Sequence, residues 1–316
     1  MIRYGILSTS SIAPRFIAAV RAAEAGEVVA LSSRTQEKAR EKAAQWQIST
    51  AYGSHEKLLQ DANVDVVYIS TVNSQHYTWA KAALEHGKHV VCEKPCTTSS
   101  RQTRELFQLA REKGLFLMEA EKMLFLPAIL EARRQIAEGR IGQIHMAELS
   151  HSFQASYNTW MFDSTAGGGP LLSSGIYAVQ LMQWLFGPIR DIRGLRSSLP
   201  DGVEWQYILT GETQSGVLFS AKNSTRAILD NTARIYGTKG YLELPEYWKA
   251  RKLILHISGE EKQVLEYPCQ HELRYEAEHI RDCLEKGLCT SPVVTEEISV
   301  GGIAALERIK EGWKGV

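Results

Sequence analysis

The sequence predicts an α/β fold class: an N-terminal Rossmann domain with a doubly wound parallel sheet, then a C-terminal α+β domain with a mostly antiparallel open sheet. Over the first 120 residues, short apolar runs alternate with segments of helical periodicity. After these residues, strand-like runs follow one another with few helices between them. A chain of 316 residues also exceeds one ordinary core. We therefore expect a dinucleotide-binding domain over 1–120 and a substrate and oligomerisation domain over 121–316.

The first domain is predicted from continuous apolar runs, which are typical of strands covered on both faces. These strands are expected at residues 3–7, 28–32, 66–70, 89–92 and 115–119. Helical periodicity predicts the connecting helices at residues 12–25, 36–46, 75–86 and 99–113. Gly87 and Gly114 follow the last two helices as stop residues.

The second domain is predicted from strand-like runs at residues 144–153, 189–195, 203–209, 217–223, 232–236 and 241–244. Gly237-Thr-Lys-Gly240 reads as a hairpin turn between the last two. Helices are expected from Pro127 to Gly139 and at residues 174–186, 274–286 and 296–312. Few helices among many strands indicate a mostly antiparallel sheet.

Charge and composition exclude several classes of function. The 36 basic and 36 acidic residues give no net charge, which argues against a nucleic-acid partner. Apolar runs stay below the roughly 18 residues that cross a membrane, and the N-terminus reads as a strand rather than a signal sequence. Five scattered cysteines indicate reduced thiols in a cytoplasmic protein, and neither they nor the nine histidines show metal-ligand spacing.

Glu93-Lys94-Pro95 directly follows the predicted strand at 89–92. Pro95 fixes its own backbone and restricts Lys94, so the lysine side chain has a defined direction. The carboxyl end of a parallel strand is where open α/β sheets bind ligands. For the tripeptide alone, a surface lysine before a helix is the alternative.

The loop at residues 5–13 joins the first strand to the first helix, where dinucleotide folds bind the pyrophosphate. Its candidate cofactor-binding residues are Ser8, Thr9, Ser10 and Ile12. The two serines stand where glycines are expected, so Gly-x-Gly-x-x-Gly is absent, but serine is small and its hydroxyl can bind phosphate. A capped helix start is the alternative interpretation.

The end of the second strand favours NADP over NAD. An NAD-binding site places an acid here for the ribose 2′-hydroxyl, whereas this chain has Ser33 and Arg34, followed by Lys38. Two cations suit a 2′-phosphate. The alternative is a solvated helix start with Glu37 and Glu41 as ionic partners.

Several segments together carry a family resemblance: residues 64–71, Asn73 with His76, and residues 87–95, 115–120, 167–177, 237–240 and 275–288. The sequence resembles the Gfo/Idh/MocA family (glucose–fructose oxidoreductase and inositol dehydrogenase), and within it the dimeric dihydrodiol and xylose dehydrogenases. The resemblance covers essentially the whole chain. It implies an NAD(P)-dependent oxidoreductase acting on a sugar, polyol, vicinal diol or carbonyl substrate, assembled as a homodimer through the C-terminal sheet.

The resemblance also implies residue roles. Lys94 would hydrogen-bond the substrate oxygen, and Tyr177 would act as general acid or base while hydride moves to or from nicotinamide C4. Because an unperturbed tyrosine is a poor base at neutral pH, a nearby ammonium explains the pairing. The remaining cofactor-binding residues it implies are Thr71, Asn73, His76, Glu93, Lys94 itself and Trp160.

Some positions depart from the family pattern. Ser173 replaces the usual aspartate four residues before Tyr177, and it can hydrogen-bond a substrate hydroxyl but carries no charge. Met161 replaces a basic residue, and residues 121–124 replace an aromatic-rich stretch. These departures leave a second hypothesis open, a non-catalytic NAD(P)-binding sensor. A metal-dependent hydrolase finds no ligand set in the sequence.

Overall fold

The computed structural model describes residues 1–156 and 159–313. The chain forms two compact units, one built from Met1–Glu121 with His271–Glu296 and the other from Lys122–Gln270 with the segment that begins at Glu297. The sequence analysis places all of 121–316 in one domain, whereas here His271–Glu296 packs with the first unit.

The first unit contains a six-stranded parallel sheet. Its strands are β1 (Arg3–Leu7), β2 (Glu27–Ser32), β3 (Thr50–Tyr52), β4 (Val66–Ile69), β5 (His89–Glu93) and β6 (Leu117–Ala120). Their order is β3-β2-β1-β4-β5-β6, and every neighbouring pair is parallel. The chain order reverses between β1 and β4, the switch point at which such sheets bind dinucleotides. The predicted Rossmann fold is confirmed.

Helices cover this sheet: α1 (Ala13–Ala22), α2 (Gln36–Trp46), α3 (His55–Leu59), α4 (His76–Glu85) and α5 (Ser100–Lys113). The central strands are fully buried, as expected for a sheet with helices on both faces. The sequence analysis does not predict β3 or α3. Both are short, with three and five residues, which is too little for a periodic pattern.

The second unit is built on an eight-stranded sheet. Its strands are β7 (Ile144–Ser152), β8 (Ile189–Ser198), β9 (Glu204–Thr213), β10 (Leu218–Ser224), β11 (Thr232–Gly237), β12 (Gly240–Pro245), β13 (Lys252–Ile257) and β14 (Gln263–Glu266). The order is β14-β13-β12-β11-β7-β10-β9-β8. All pairs are antiparallel except β7 with β10, which confirms the mostly antiparallel prediction. Gly237 pairs with Gly240 across the predicted hairpin turn.

The helices of the second unit are α6 (Pro127–Ala137), α7 (Ile176–Phe186) and α9 (Glu296–Gly312). The helix predicted from residue 174 begins differently, because a π-helical turn, Leu171–Gly175, precedes α7. The helix α8 (Arg274–Glu285) belongs to the first unit, where Arg281 donates a hydrogen bond to the carbonyl that follows α1 at Ala23. No helix among the described residues is both long and apolar enough to cross a membrane.

Candidate active site

The loop after β1 takes a glycine-like turn although it contains no glycine after Gly5. Ser8 has φ +100°, a region that favours glycine, and its backbone N–H donates to the carbonyl of Ser32 at 3.2 Å. Ser10 Oγ donates to Ser70 Oγ at 2.8 Å, which ties the loop to the end of β4. Thr9 and Ile12 are partly exposed on the same loop, directly before α1. Backbone and hydroxyl donors at a helix N-terminus fit a pyrophosphate.

Residues 33–35, which directly follow β2, include the cation Arg34 and no carboxylate. Ser33 is buried and its N–H donates to the carbonyl of Tyr52 at 3.0 Å, whereas Arg34 and Lys38 are exposed at the start of α2. Thr35 caps this helix by accepting from the Lys38 N–H at 3.3 Å. Both cationic side chains are of a type that can bind a phosphate group.

His55 lies at the same end of β2, and the sequence analysis does not identify it. Its Nδ1 is 2.8 Å from Ser32 Oγ, and its ring contacts Trp79 edge to face at 4.8 Å. Burial lowers the pKa of His55, with a smaller contribution of the same sign from Arg34. Its signal in the sequence is weak, because a lone histidine at the start of a five-residue helix has no pattern around it.

His76 connects the two loops that follow β4 and β5. The imidazole is 1% exposed, with Nδ1 2.8 Å from the Pro95 carbonyl and Nε2 3.1 Å from the Thr71 carbonyl. Burial lowers the pKa of His76, so the ring is neutral at neutral pH and donates to one of these carbonyls. The predicted residues Thr71, His76 and the segment around Lys94 therefore come together, with Asn73 buried beside them.

Lys94 follows β5 and is partly buried, next to a cis peptide bond to Pro95. Burial lowers the pKa of Lys94, and the carboxylates of Glu93, Glu121 and Glu119 oppose that shift. Lys94 thus lies near negatively charged carboxylates at the carboxyl edge of the parallel sheet.

Hydrogen bonds fix the surroundings of Lys94. Tyr68, on β4, donates its hydroxyl to Glu93. Glu119, on β6, accepts from the backbone N–H of Cys96 at 2.9 Å. Three neighbouring strands therefore contribute to the position of one lysine, as expected for a site built on rigid elements.

In the second unit, a π-helical turn precedes α7 and carries Ser173. Leu171 N–H donates to Glu204 Oε1 at 2.8 Å, and Gly169, at φ +110°, leaves room for this carboxylate, which a Cβ would meet at 2.3 Å. Ser174 Oγ donates to the Pro170 carbonyl at 2.8 Å. Such turns are frequent at functional sites, because they alter the direction of the side chains that follow.

Tyr177 lies in the first turn of α7 and is 7% exposed. The Nζ atom of Lys122 is 5.8 Å from the centroid of its ring and donates to the Trp248 carbonyl at 2.6 Å. Lys122 lies within residues 121–124, which depart from the family pattern, and no role is predicted for it from the sequence.

Trp160 is 42% exposed and begins a short 3-10 turn, Trp160–Phe162. The backbone N–H of Gly169 donates to the Met161 carbonyl at 2.6 Å, so this turn packs on the glycine run that leads to the π-helical turn. Trp160, Ser173 and Tyr177 are therefore carried by consecutive parts of one segment.

Comparison with known proteins extends over the whole chain. A family model described as "Oxidoreductase family, NAD-binding Rossmann fold" matches residues 2–121, and one described as "GFO/IDH/MocA C-terminal domain" matches residues 129–243. Trans-1,2-dihydrobenzene-1,2-diol dehydrogenase of Mus musculus is 34% identical over 306 residues, covering 93% of this chain and 91% of the relative. The Homo sapiens enzyme of the same name is 33% identical with the same coverage.

Solved structures share the fold. Levoglucosan dehydrogenase in complex with NADH and levoglucosan superposes with a TM-score of 0.90 at 19% identity, over 99% of this chain and 97% of its own. KijD10, a 3-ketoreductase from Actinomadura kijaniata in complex with NADP and TDP-benzene, gives 0.89 at 24% identity, over 98% and 97%.

The fold and the matches define an NAD(P)-binding oxidoreductase. More particularly, the chain belongs to the Gfo/Idh/MocA family of dehydrogenases and reductases. The resemblance inferred from the sequence motifs is confirmed.

Proposed function

We propose that this enzyme transfers hydride between nicotinamide and a carbon of a sugar, polyol, vicinal diol or carbonyl compound, with Lys94 and Tyr177 as its acid/base pair. The observation that carries the proposal is Lys94 itself, held among carboxylates at the carboxyl edge of the parallel sheet. Further support comes from relatives named as dehydrogenases of a vicinal diol.

A bound nicotinamide supplies the hydride acceptor or donor at its C4. In the oxidative direction, Tyr177 as phenolate takes the proton of the substrate hydroxyl, and the hydride leaves the carbon that carries it. Lys94 donates a hydrogen bond to the same oxygen and stabilises its negative charge as the proton departs. In the reductive direction, the tyrosine hydroxyl returns the proton to the carbonyl oxygen.

Ser173 sets this enzyme apart from relatives with an aspartate at that position. We propose that its hydroxyl contacts a substrate hydroxyl without adding charge. A neutral contact of this kind suits an uncharged diol or sugar.

The activity is tested with the purified chain, NADPH and a panel of dicarbonyls and aldoses, and with NADP⁺ and trans-1,2-dihydrobenzene-1,2-diol or levoglucosan. Turnover is expected with at least one compound class, and Tyr177→Phe is expected to abolish it while cofactor binding, followed by tryptophan fluorescence, persists. Cofactor binding without turnover on any class would contradict the proposal and favour a sensor.

We also propose NADP as the preferred cofactor over NAD. Arg34 and Lys38 support this, because both are exposed at the end of β2 where the cofactor ribose binds in this fold. Serines replace the acid that would hold a 2′-hydroxyl.

A homodimer through the C-terminal sheet is the proposed assembly. One face of this sheet exposes apolar side chains on adjacent strands: Leu195 pairs with Ile208, and Leu218 with Met146. Their exposures are 74%, 60%, 50% and 47%. Two exposed apolar pairs on one face of the sheet support a surface that is covered in the assembly. Ile208→Asp is expected to shift the mass measured by light scattering from two chains to one, whereas an unchanged mass would contradict this interface.

A further inference from the structure

His55 is a half-buried histidine beside the last residue of β2, and its imidazole is held through one nitrogen. Its Nδ1 atom lies 2.8 Å from Ser32 Oγ, and the ring contacts Trp79 edge to face with centroids 4.8 Å apart. Among the described residues, none hydrogen-bonds the Nε2 atom. With one nitrogen held and the other available, the imidazole has a defined orientation and can bind a ligand.

The surroundings of His55 favour an anionic ligand. The ring lies at the carboxyl end of β2, where this fold binds the ribose of the cofactor's adenosine. Burial lowers the pKa of His55, and the nearby positive charge of Arg34 adds to this shift. The imidazole of the protein alone is therefore neutral at neutral pH, and an anion beside the ring and Arg34 would lower the cost of charging it.

We propose that His55 binds the 2′-phosphate of NADP as an imidazolium, together with Arg34. The inference rests on the NADP preference proposed above. A phosphate dianion favours the charged form of an imidazole beside it, so binding of NADP takes up a proton at His55. NAD lacks this phosphate, and its binding takes up no proton there. The chain thus distinguishes the two cofactors partly through a charge that appears only when the phosphate binds.

Charged side chains on the surrounding elements differ in their effect on the ring. Beyond burial, Glu56 on the same helix and Arg34 shift the pKa of His55 in opposite directions. The strands packed against α3 are β1, β2 and β3. Arg3 and Glu27 stand at the amino ends of β1 and β2, away from His55, and β3 has no acid or cation. The titratable residues of α4, which carries Trp79, are His76, Tyr77, Lys81 and Glu85.

Proton uptake measures this coupling directly. The nucleotide 2′,5′-ADP carries the 2′-phosphate without the nicotinamide, and 5′-AMP lacks this phosphate. Isothermal titration calorimetry in two buffers that differ in ionisation enthalpy gives the number of protons taken up with each nucleotide. A phosphate monoester has its second pKa at about 6, so at about pH 7.5 the phosphate itself contributes little. Uptake is expected with 2′,5′-ADP but not with 5′-AMP, and no uptake by the wild type would overturn the inference without any variant.

The same coupling makes the affinity depend on pH. Because the phosphate raises a pKa of His55 that burial had lowered, the protein binds 2′,5′-ADP more tightly below that raised pKa than above it. The preference for 2′,5′-ADP over 5′-AMP, measured as the ratio of their dissociation constants, should therefore fall between about pH 7 and about pH 8.5.

His55→Gln is the informative variant, because an amide can still hydrogen-bond with Ser32 but does not titrate. His89→Gln is the matched control. His89 is also half-buried, and burial also lowers its pKa, but it lies at the amino end of β5, where its Nδ1 accepts from the Phe116 N–H at 2.9 Å. Melting temperatures establish that each variant is folded.

At about pH 7, His55→Gln is expected to bind 2′,5′-ADP about 10-fold more weakly than the wild type and to lose the proton uptake. Its binding of 5′-AMP, and both properties of His89→Gln, should be unchanged. Unaltered affinity and proton uptake in His55→Gln would overturn the inference. Equal losses for the two nucleotides would do so as well, since the contact would then be with adenine or ribose. If the wild type binds 2′,5′-ADP no more tightly than 5′-AMP, the proposed NADP preference itself fails.

Discussion

Lys94 and Lys122, one in each unit of this enzyme, lie where charge is costly, and their surroundings differ. Lys94, in the first unit, lies near three carboxylates that oppose the effect of burial on its pKa. The Nζ atom of Lys122, in the second, donates to the Trp248 carbonyl at 2.6 Å and lies 5.8 Å from the centroid of the Tyr177 ring. The first arrangement brings formal negative charges to an ammonium, and the second brings it a carbonyl dipole and an aromatic face.

The comparison shows one residue type in two electrostatic surroundings. Carboxylates near Lys94 oppose the lowering of its pKa by burial, which favours the ammonium that the proposed hydrogen bond to a substrate oxygen requires. The Trp248 carbonyl and the Tyr177 ring, by contrast, approach the Lys122 ammonium without a formal charge. Replacing either lysine should therefore produce a different defect.

The largest expected effect is that of Lys94→Met, which removes the proposed hydrogen bond to the reacting oxygen. We expect kcat to fall by about 10²- to 10⁴-fold, with a smaller loss of cofactor affinity. Steady-state kinetics and a fluorescence titration with NADPH measure the two quantities.

Lys88 provides the matched control at the other end of β5. It is also buried, but its Nζ donates to the carbonyls of Asp61 and Val64 at 2.7 and 2.8 Å, away from the carboxyl edge. Lys88→Met should lower stability because two buried carbonyls lose their donor. Equal losses of kcat in the folded Lys88 and Lys94 variants would remove the special role assigned to Lys94.

A smaller effect is expected from an exposed cation. Arg34→Ala should weaken NADP binding by roughly 10- to 100-fold, the usual contribution of a charge-assisted hydrogen bond, and leave NAD binding unchanged. Arg40→Ala, on an exposed position of α2, serves as the control. Dissociation constants for the two cofactors provide the measurement, and a parallel loss for NAD would argue against a 2′-phosphate contact.

The smallest expected effect concerns pH and the histidine that joins the loops on the Lys94 side. The pKa of His76 is lowered on folding, so below about pH 6.5 the unfolded chain binds a proton that the folded chain does not. The contribution of His76 to the free energy of unfolding is thus complete above about pH 6.5, and it declines as the pH falls toward the pKa of His76 in the folded protein.

Denaturant unfolding at about pH 7.5 and about pH 5.5 measures this decline. We expect His76→Gln to reduce the difference in unfolding free energy by about 1 kcal/mol, because glutamine does not titrate. His55, His89 and His279, whose pKa values burial also lowers, retain the rest of the dependence. An identical pH dependence in the variant would show that His76 titrates alike in both states.

Much of the fold could be predicted because the first unit repeats one pattern. Continuous apolar runs locate β1, β2, β4 and β5 to within one residue at each end, and the predicted range of α2 agrees at both ends. In the second unit, β13 and β14 remain unpredicted; β14, with four residues, is mostly exposed and lacks an apolar run. The packing of α8 within the first unit could not be predicted either, because periodicity indicates that a helix has a buried face but not which element covers it.

The candidate site likewise contains residues that the sequence predicts and residues that it does not. Lys94 is predictable because a charged residue between a buried strand and a proline has few explanations. Ser8 adopts a φ angle in the region that favours glycine, which a serine in the sequence does not predict. The π-helical turn before α7 includes a hydrogen bond from the Leu171 N–H to Glu204, which is distant in sequence. The position of Lys122 could not be predicted, because the residues that it contacts, Tyr177 and Trp248, lie far along the chain.

The pairing of Lys94 with Tyr177 is tested most directly by a double-mutant cycle on kcat/KM with Lys94→Met, Tyr177→Phe and the double variant. Residues that act on one oxygen as a unit give strongly non-additive losses. We predict that the double variant is no more than a few-fold slower than the slower single variant. Losses that multiply, so that the double variant falls by the product of the two single effects, would contradict a shared acid/base role.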